Sequence, residues 1–281
     1  METRQYDEHI DKNLDKAFDK ATEYVTGLAS DPEFQSYLAD QHIDDDRSSL
    51  GYWTAVAEYQ QATLGPEADQ FDSFVQTIVA ATPDAILRNT TLNEHRLNYR
   101  EAHAHKEILS YYNSLIRNFV DTFPDTKASE LVANLNSAAL STIAKSSRHL
   151  QHTSAELTKA IVRGAQHEAA FGSMLESLGF PYRAATLEED LKGMDYVVEL
   201  PGLDKPIGID VKASLSEIEA KNHHSDSAGP FAFGRDGNLV IWSMVTDAEL
   251  NDGFIAPADI VTERSPIVMG GLFQASKRQS A

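Results

Sequence analysis

The chain has 281 residues, of which 42% are hydrophobic, and it carries a formal net charge of −19 with no cysteine. A chain of this length can form two modest cores, whereas the absence of thiols excludes disulfides, thiolate zinc sites and a cysteine nucleophile. The sequence contains neither the run of roughly 18 apolar residues that a membrane helix needs nor a Walker-type phosphate loop. We therefore expect a soluble, cytoplasmic protein that makes no membrane contact and does not hydrolyse ATP.

Residues 1–150 predict an all-helical accessory or interaction domain of four to six helices, because long amphipathic segments alternate with proline-containing breaks. The breaks fall at Asp31-Pro32, Gly65-Pro66, Thr82-Pro83 and Phe123-Pro124. The pattern predicts helices over about residues 5–28, 52–63, 68–81, 92–122 and 126–148.

Acidic residues are concentrated at the start of the chain. Residues 1–72 hold 17 acidic and 5 basic residues, a balance of −12, which leaves −7 for the remainder. We call residues 1–72 the acidic front. Since such a surface repels phosphate, it predicts one of two roles. Either the acidic front is an adaptation to high salt, or it binds a basic protein partner or limits access to DNA. Five basic residues against three acidic ones predict a more positive approach further along: Lys145, Arg148, Lys159, Arg163 and Arg183 against Glu156, Glu168 and Glu176.

A long helix is predicted to open the second half, residues 151–281. The capping-box pattern Thr153-Ser154-Ala155-Glu156 marks its start, and Gly179 marks its end. Glu168 falls within the apolar stripe of this helix, so its carboxylate should point toward the body of the domain. An unpaired buried carboxylate is costly, and binding a cation is one way to offset that cost.

Two strands are predicted next, Met194–Leu200 and Ile207–Ser214, as an antiparallel hairpin around a turn rich in Pro and Gly. Alternation places Asp210 and Lys212 on one face, and a turn centred between residues 203 and 204 places Asp195 opposite Lys212 on that same face. Simpler interpretations stay open. Asp195 could be a turn residue, Asp210 and Lys212 an exposed ion pair, and Glu168 the partner of Arg163 or Lys212.

The remainder predicts a strand over Leu239–Val245, buried on both faces, and a further strand over Ser265–Gly270. The loop over residues 222–230 is a candidate nucleic-acid contact, and residues 274–281 are expected to fray.

An acidic residue two positions before a lysine is a weak signal alone, since Asp125-x-Lys127, Asp190-x-Lys192 and Glu219-x-Lys221 share it. Asp210-x-Lys212 differs because it lies in a β-branched strand. The order Gly164-x-x-x-Glu168, Gly193-Met194-Asp195, Asp210-x-Lys212 resembles the PD-(D/E)XK nuclease superfamily over roughly residues 154–245, with Met194 in place of the usual proline.

The resemblance implies an α/β chain: an N-terminal all-helical domain, then a restriction-endonuclease-like core with a central mixed β-sheet flanked by helices, over residues 151–281. It implies a Mg²⁺-dependent DNA endonuclease in which Asp195 and Asp210 are the main ligands, Glu168 completes the shell and Mn²⁺ substitutes for Mg²⁺. Lys212 would orient or help deprotonate the attacking water.

A restriction or defence enzyme, cutting both strands as a homodimer, is the first expectation. Repair, junction-resolving or mobile-element nucleases come second. Two non-enzymatic alternatives stay open: an inactive nuclease-fold binding or assembly protein, and a helical interaction protein whose hairpin only imitates the motif.

Overall fold

The computed structural model describes residues 13–63, 70–143, 148–203, 205–214, 216, 218, 230–234 and 238–279. A helical half is followed along the chain by a half built on a mixed β-sheet, which confirms the predicted α/β class. The mixed sheet also argues against a purely helical protein that imitates the motif. The predicted loop over residues 222–230 lies outside the described residues except for its last residue, Pro230.

The helical half contains six described α-helices before the long one that leads into the sheet. They are α1 (Leu14–Gly27), α2 (Pro32–Asp40), α3 (Leu50–Thr63), α4 (Gln70–Glu94), α5 (Tyr99–Thr122) and α6 (Ala128–Thr142). A short 3₁₀ turn, Leu28–Ser30, follows α1. Their apolar faces meet in one cluster that includes the fully buried side chains of Phe18, Trp53 and Phe119.

The structure confirms the predicted break at Asp31-Pro32 and contradicts the one at Thr82-Pro83. Asp31 does end one segment, but it also caps the unpredicted helix α2, since its side chain accepts hydrogen bonds from the backbone N–H groups of Glu33 and Phe34. The predicted break at Thr82-Pro83 is wrong, because α4 continues through Pro83. Residues 78–86 of α4 are buried against neighbouring helices, and this packing outweighs the local cost of proline. The break at Gly65-Pro66 lies outside the described residues.

Helix α7 (Arg148–Leu178) joins the two halves. It begins before the predicted capping box, so residues 153–156 lie inside the helix, whereas its end before Gly179, at φ +70°, is as predicted. Val162 and Ala165 belong to the apolar cluster of the helical half, and Phe171 and Leu175 to that of the sheet half. The boundary near residue 150 stays a prediction.

The described part of the second half contains five strands and three more helices. They are β1 (Tyr182–Ala184), α8 (Leu187–Asp190), β2 (Tyr196–Val198), β3 (Ile207–Lys212), β4 (Phe231–Phe233), β5 (Leu239–Trp242), α9 (Asp247–Leu250) and α10 (Ala258–Gln279). The strand order is β1-β2-β3-β5-β4, with β3 and β5 parallel and the other pairs antiparallel. Strand β5 is buried on both faces, as predicted for the apolar run at 239.

Two predictions for the end of the chain are wrong. Ser265–Gly270 lies within α10 rather than in a strand, and the described part of the expected frayed tail is helical as far as Gln279. Val268 and Leu272 of α10 are buried in the second cluster, and α10 packs against α7, β3 and β5. The period of this segment is therefore helical, and its β-branched residues misled the strand prediction.

Candidate active site

The β2–β3 hairpin brings Asp195, Asp210 and Lys212 to one face of the sheet. Tyr196 pairs with Ile209, which places Asp195 opposite Asp210 rather than opposite Lys212 as predicted. This register differs from the predicted one by two residues. A shift of two preserves the face of every side chain, so the predicted grouping survives.

Asp195 is held in place through both its backbone and its side chain. Its N–H donates to the carbonyl oxygen of Ile209 at 2.7 Å, and its Oδ2 accepts from the N–H of Val211 at 2.6 Å. Burial raises the pKa of Asp195, and the neighbouring carboxylate of Asp210 raises it further, against the opposing effect of Lys212. The simpler interpretation of Asp195 as a turn residue does not explain these contacts.

Asp210 and Lys212 form an ion pair that is not on a solvated face. The Lys212 Nζ donates to Asp210 Oδ1, and the two side chains are only 19% and 6% exposed. The Lys212 Nζ also donates to the carbonyl oxygen of Val211 at 3.2 Å. Lysine is therefore held with its charge beside the buried carboxylate, at the edge of the cavity described below.

Glu168 reaches the same place from α7. Its side chain is 26% exposed, and its Oε2 accepts from Arg117 at 3.2 Å, so its partner is neither Arg163 nor Lys212. Burial raises the pKa of Glu168, and Asp195 raises it further, while Arg117 opposes the shift. All four predicted residues thus lie together, at the junction of one helix and two strands.

Arg117 is a site residue that sequence analysis missed. It comes from α5 in the helical half, and besides Glu168 it contacts the backbone oxygen of Asp195 at 3.0 Å. Its guanidinium group also lies over the ring of Tyr196, 4.3 Å from the centroid. The hydroxyl of Tyr196 in turn donates to the backbone oxygen of Glu168 at 2.7 Å. One cation of the helical half therefore links α7 to the start of β2.

Asp190 is a second missed residue. It belongs to one of the set-aside Asp-x-Lys triplets, but the structure places it beside the site, where it lines the same cleft as Glu168 and Asp195. Burial raises its pKa, Arg117 lowers it and Asp210 raises it. Gly193, at φ +79°, turns the chain between Asp190 and Asp195, and this turn allows both acids to approach one site.

His167 ties α7 to the far end of β5, next to the site. Its Nδ1 lies 2.7 Å from the Ser243 hydroxyl and its Nε2 lies 2.7 Å from Asp247. Arg163 also donates to Asp247. Partial burial raises the pKa of Asp247, but the hydrogen bonds from His167 and Arg163 outweigh it and hold that pKa below its ordinary value. Since Ser243 is fully buried, this Ser-His-Asp arrangement is structural.

The positive approach predicted from residue counts is reduced. Arg163 is paired with Asp247, and Arg183 with Glu189 at 2.6 Å. Lys145 and the side chain of Arg148 lie outside the described residues.

Two cavities meet over Glu168 and Asp195. The larger, of about 550 Å³, lies between α5 and α7 and is closed on its third side by residues 184–195. The smaller, of about 300 Å³, extends to Arg163, His167 and Lys212. They share Ala160 and Gly164 as well as the two acids. Another cavity, of about 370 Å³ near Pro181 and Pro206, contains none of the candidate residues.

The donor chemistry of this cluster suits a hard divalent cation, since its anionic oxygens are crowded and two of its acids have raised pKa values. Among the described residues, no three His, Asp or Glu side chains are arranged as the ligands of one ion. The carboxylates instead accept from Arg117, Lys212 and the N–H of Val211.

Neither the family models, the curated proteins nor the solved structures contain a match to this chain. In the part of the chain that the structure describes, none of the helices combines the length and apolar character needed to cross a membrane.

Proposed function

We propose that the protein is a metal-dependent nuclease that hydrolyses phosphodiester bonds of DNA, with a core of the PD-(D/E)XK type. One observation carries this proposal: Glu168 of α7 and Asp195 at the start of β2 line a cavity together with Lys212, and Asp210 of the paired strand β3 is bonded to Lys212 beside them. Asp210 raises the pKa of Asp195, and Asp195 raises the pKa of Glu168; buried acids perturbed in this way cluster at functional sites.

Mg²⁺, or Mn²⁺ in its place, would be held by Asp195 and Asp210, with Glu168 completing the shell. Such an ion lowers the pKa of a bound water and offsets charge on the leaving oxygen. The observed internal bonds do not oppose this assignment, because a carboxylate offers about four lone pairs on two oxygens and can accept from a protein donor while it binds an ion.

The chain's own cations have distinct roles in this proposal. Lys212 lines the smaller cavity, where its ammonium group would orient the attacking water and stabilise charge on the phosphorane. Arg117 opposes the rise in the pKa of Glu168 and fixes the backbone of Asp195, so it positions the acids from the helical half.

A restriction or defence role, with a homodimer cutting both strands, is the first expectation within this proposal, and repair, junction-resolving or mobile-element cleavage is the second. An inactive nuclease-fold binding or assembly protein is the alternative. It is favoured by one observation, that the carboxylates already have donors within the protein. Calorimetric titration with Mg²⁺ separates the two, since the inactive protein binds no ion at millimolar concentration.

The decisive test is cleavage of supercoiled, linear and branched DNA with Mg²⁺, with Mn²⁺ and with chelator. We expect metal-dependent cutting that falls by at least about 100-fold in Lys212→Ala, the usual cost of losing one positioned group that stabilises charge in the transition state. Lys192→Ala is the matched control, because this lysine belongs to another Asp-x-Lys triplet and pairs with exposed Glu188 outside both cavities. Equal cutting by both variants, or none by the folded wild type, would overturn the proposal.

A further inference from the structure

The larger cavity has two unlike walls. Helix α5 supplies an uncharged polar wall made of Tyr111, Asn113, Ser114 and Asn118. Helix α7 supplies a wall of small or apolar residues that includes Ala160 and Gly164. The floor is the candidate site itself, with Arg117, Glu168 and Asp195.

The polar wall offers the groups that read a nucleobase rather than a phosphate. Each asparagine amide provides both donors and an acceptor, and the tyrosine provides an aromatic face, whereas Ser114 adds a hydroxyl. Arg117 is the one cation among the described residues that line this cavity, and it is already bonded to Glu168. Three acids also line it, so the backbone charge of a DNA strand would be poorly neutralised here.

The cavity's size points the same way. At about 550 Å³ it falls within the range in which proteins enclose a single small molecule, and a nucleoside is of that size. A continuous duplex would have to lie across the mouth of the cavity, because the bases of a duplex are stacked and paired in its interior and cannot enter the cavity. Enzymes that take up a single base from DNA draw on an unpaired strand or extrude the nucleotide into such a pocket.

The smaller cavity provides the other half of the arrangement. It contains Lys212, it shares Glu168 and Asp195 with the larger cavity, and none of the described residues that line it belongs to α5. A strand that crosses the two acids would place a phosphate near Lys212 and the neighbouring base against α5.

We propose that the cleft between α5 and α7 holds one unpaired nucleotide beside the scissile phosphate, so that the substrate is DNA with an unpaired nucleotide at the cleavage point. This inference rests on the proposed nuclease function and narrows its substrate. It also assigns the helical half a role, since α5 supplies the recognition wall.

The test compares two duplexes of one sequence, one fully paired and one carrying a single extra unpaired nucleotide. We expect the second to be cut at least about tenfold faster, the scale of one lost base contact. Ser114→Trp fills the cleft from an exposed position and should remove this preference. Ala104→Trp, at an exposed position of α5 outside the cavity, should keep it.

Binding of a labelled single-stranded oligonucleotide to the Lys212→Ala protein provides a readout that does not need cleavage. We expect binding that Ser114→Trp weakens by about tenfold or more and Ala104→Trp leaves unchanged. If nothing is cut but this binding pattern holds, the nuclease function fails while the cleft assignment stands. Equal cutting of both duplexes, or oligonucleotide binding that is absent or indifferent to Ser114→Trp, overturns the assignment.

Discussion

Glu168 is a residue whose charge opposes folding, because its pKa is raised in the folded chain by burial and by Asp195. An acid of this kind binds its proton more tightly when folded than when unfolded. Below its ordinary pKa both states are protonated and nothing is lost. As the pH rises from that value to the raised one, the unfolded chain ionises first, and the free energy of unfolding falls. Asp195 contributes in the same direction.

Glu168→Gln should therefore stabilise the metal-free protein at neutral and basic pH, by about 0.5–2 kcal/mol, and the gain should vanish at pH values below the ordinary pKa of glutamate. Urea denaturation across this pH range measures the difference. Glu188→Gln is the control with opposite sign, since the hydrogen bond from Lys192 lowers the pKa of exposed Glu188. A loss of stability in Glu168→Gln at every pH would mean that the pair with Arg117 outweighs burial.

Local periodicity in the sequence identified three of the site residues, whereas a site residue that is placed by packing between helices distant along the chain was missed. Asp210 and Lys212 share a face by strand alternation, which requires no knowledge of the register, and helical periodicity turned Glu168 inward. Arg117 contacts a residue 51 positions further along the chain. No local period encodes such a contact, because it depends on how α5 packs against α7.

Helix α7 approaches β2 closely at one glycine. A methyl group added at Gly172 would lie 2.6 Å from the hydroxyl oxygen of Tyr196, which is itself bonded to Glu168. At Gly164 of the same helix, the nearest atom would be 4.0 Å away. The two positions therefore share a helix and differ in the space available.

Gly172→Ala should destabilise the protein, because overpacking costs about 1–3 kcal/mol against a gain of roughly 1 kcal/mol in helix propensity. Gly164→Ala should be neutral or stabilising by up to about 1 kcal/mol. Thermal denaturation of both variants measures this. Adding Tyr196→Phe to Gly172→Ala removes the oxygen that is struck, so the two substitutions together should cost less than their sum. Additive costs would indicate that the helix shifts instead.

Element boundaries were predictable where a local signal acts alone and not where packing competes with it. Gly179 ends α7 as predicted, since a left-handed residue stops a helix whatever surrounds it. Pro83 does not end α4, and a capping-box pattern does not begin α7. Buried neighbours keep α4 helical through the proline. The capping-box pattern at residues 153–156 does not start a helix, because α7 already begins at Arg148.

The acidic front is part of the apolar core, because its buried side chains belong to a cluster that also includes Phe254 of the sheet half. Deleting the acidic front is therefore not a clean test of its charge. Removing residues 1–72 would delete core side chains such as Phe18 and Trp53, so an altered DNA affinity would report unfolding. The sequence showed residues 1–72 as a charge imbalance, but it could not show that the same segment contains three of the six described helices of the helical half. Neutralising exposed acids is the cleaner experiment.

Asp40, Asp44 and Asp45 are exposed acids of the front, and Asp40 ends α2, where a negative charge is unfavourable. The cleft lies near the end of α3 where Gln61 contacts Tyr111, whereas Asp45 is close enough to Tyr52, near the start of α3, to add to the rise that burial causes in the pKa of that tyrosine. These two positions are roughly 13 Å apart along the helix axis, so Asp45 and its neighbour Asp44 are remote from the cleft. The Debye length is about 10 Å at 0.1 M salt, so their repulsion of DNA at the cleft is largely screened.

The three Asp→Asn changes together should therefore leave DNA affinity within about twofold at 0.1 M salt, whereas self-repulsion within the front should be relieved. We expect the free energy of unfolding to rise by under about 1 kcal/mol at low salt and this gain to fade as salt is added. Fluorescence anisotropy and denaturation in a salt series measure the two effects. This outcome favours adaptation of the front to high salt. An affinity that rises tenfold at fixed salt would instead show that the acidic front limits access to the cleft.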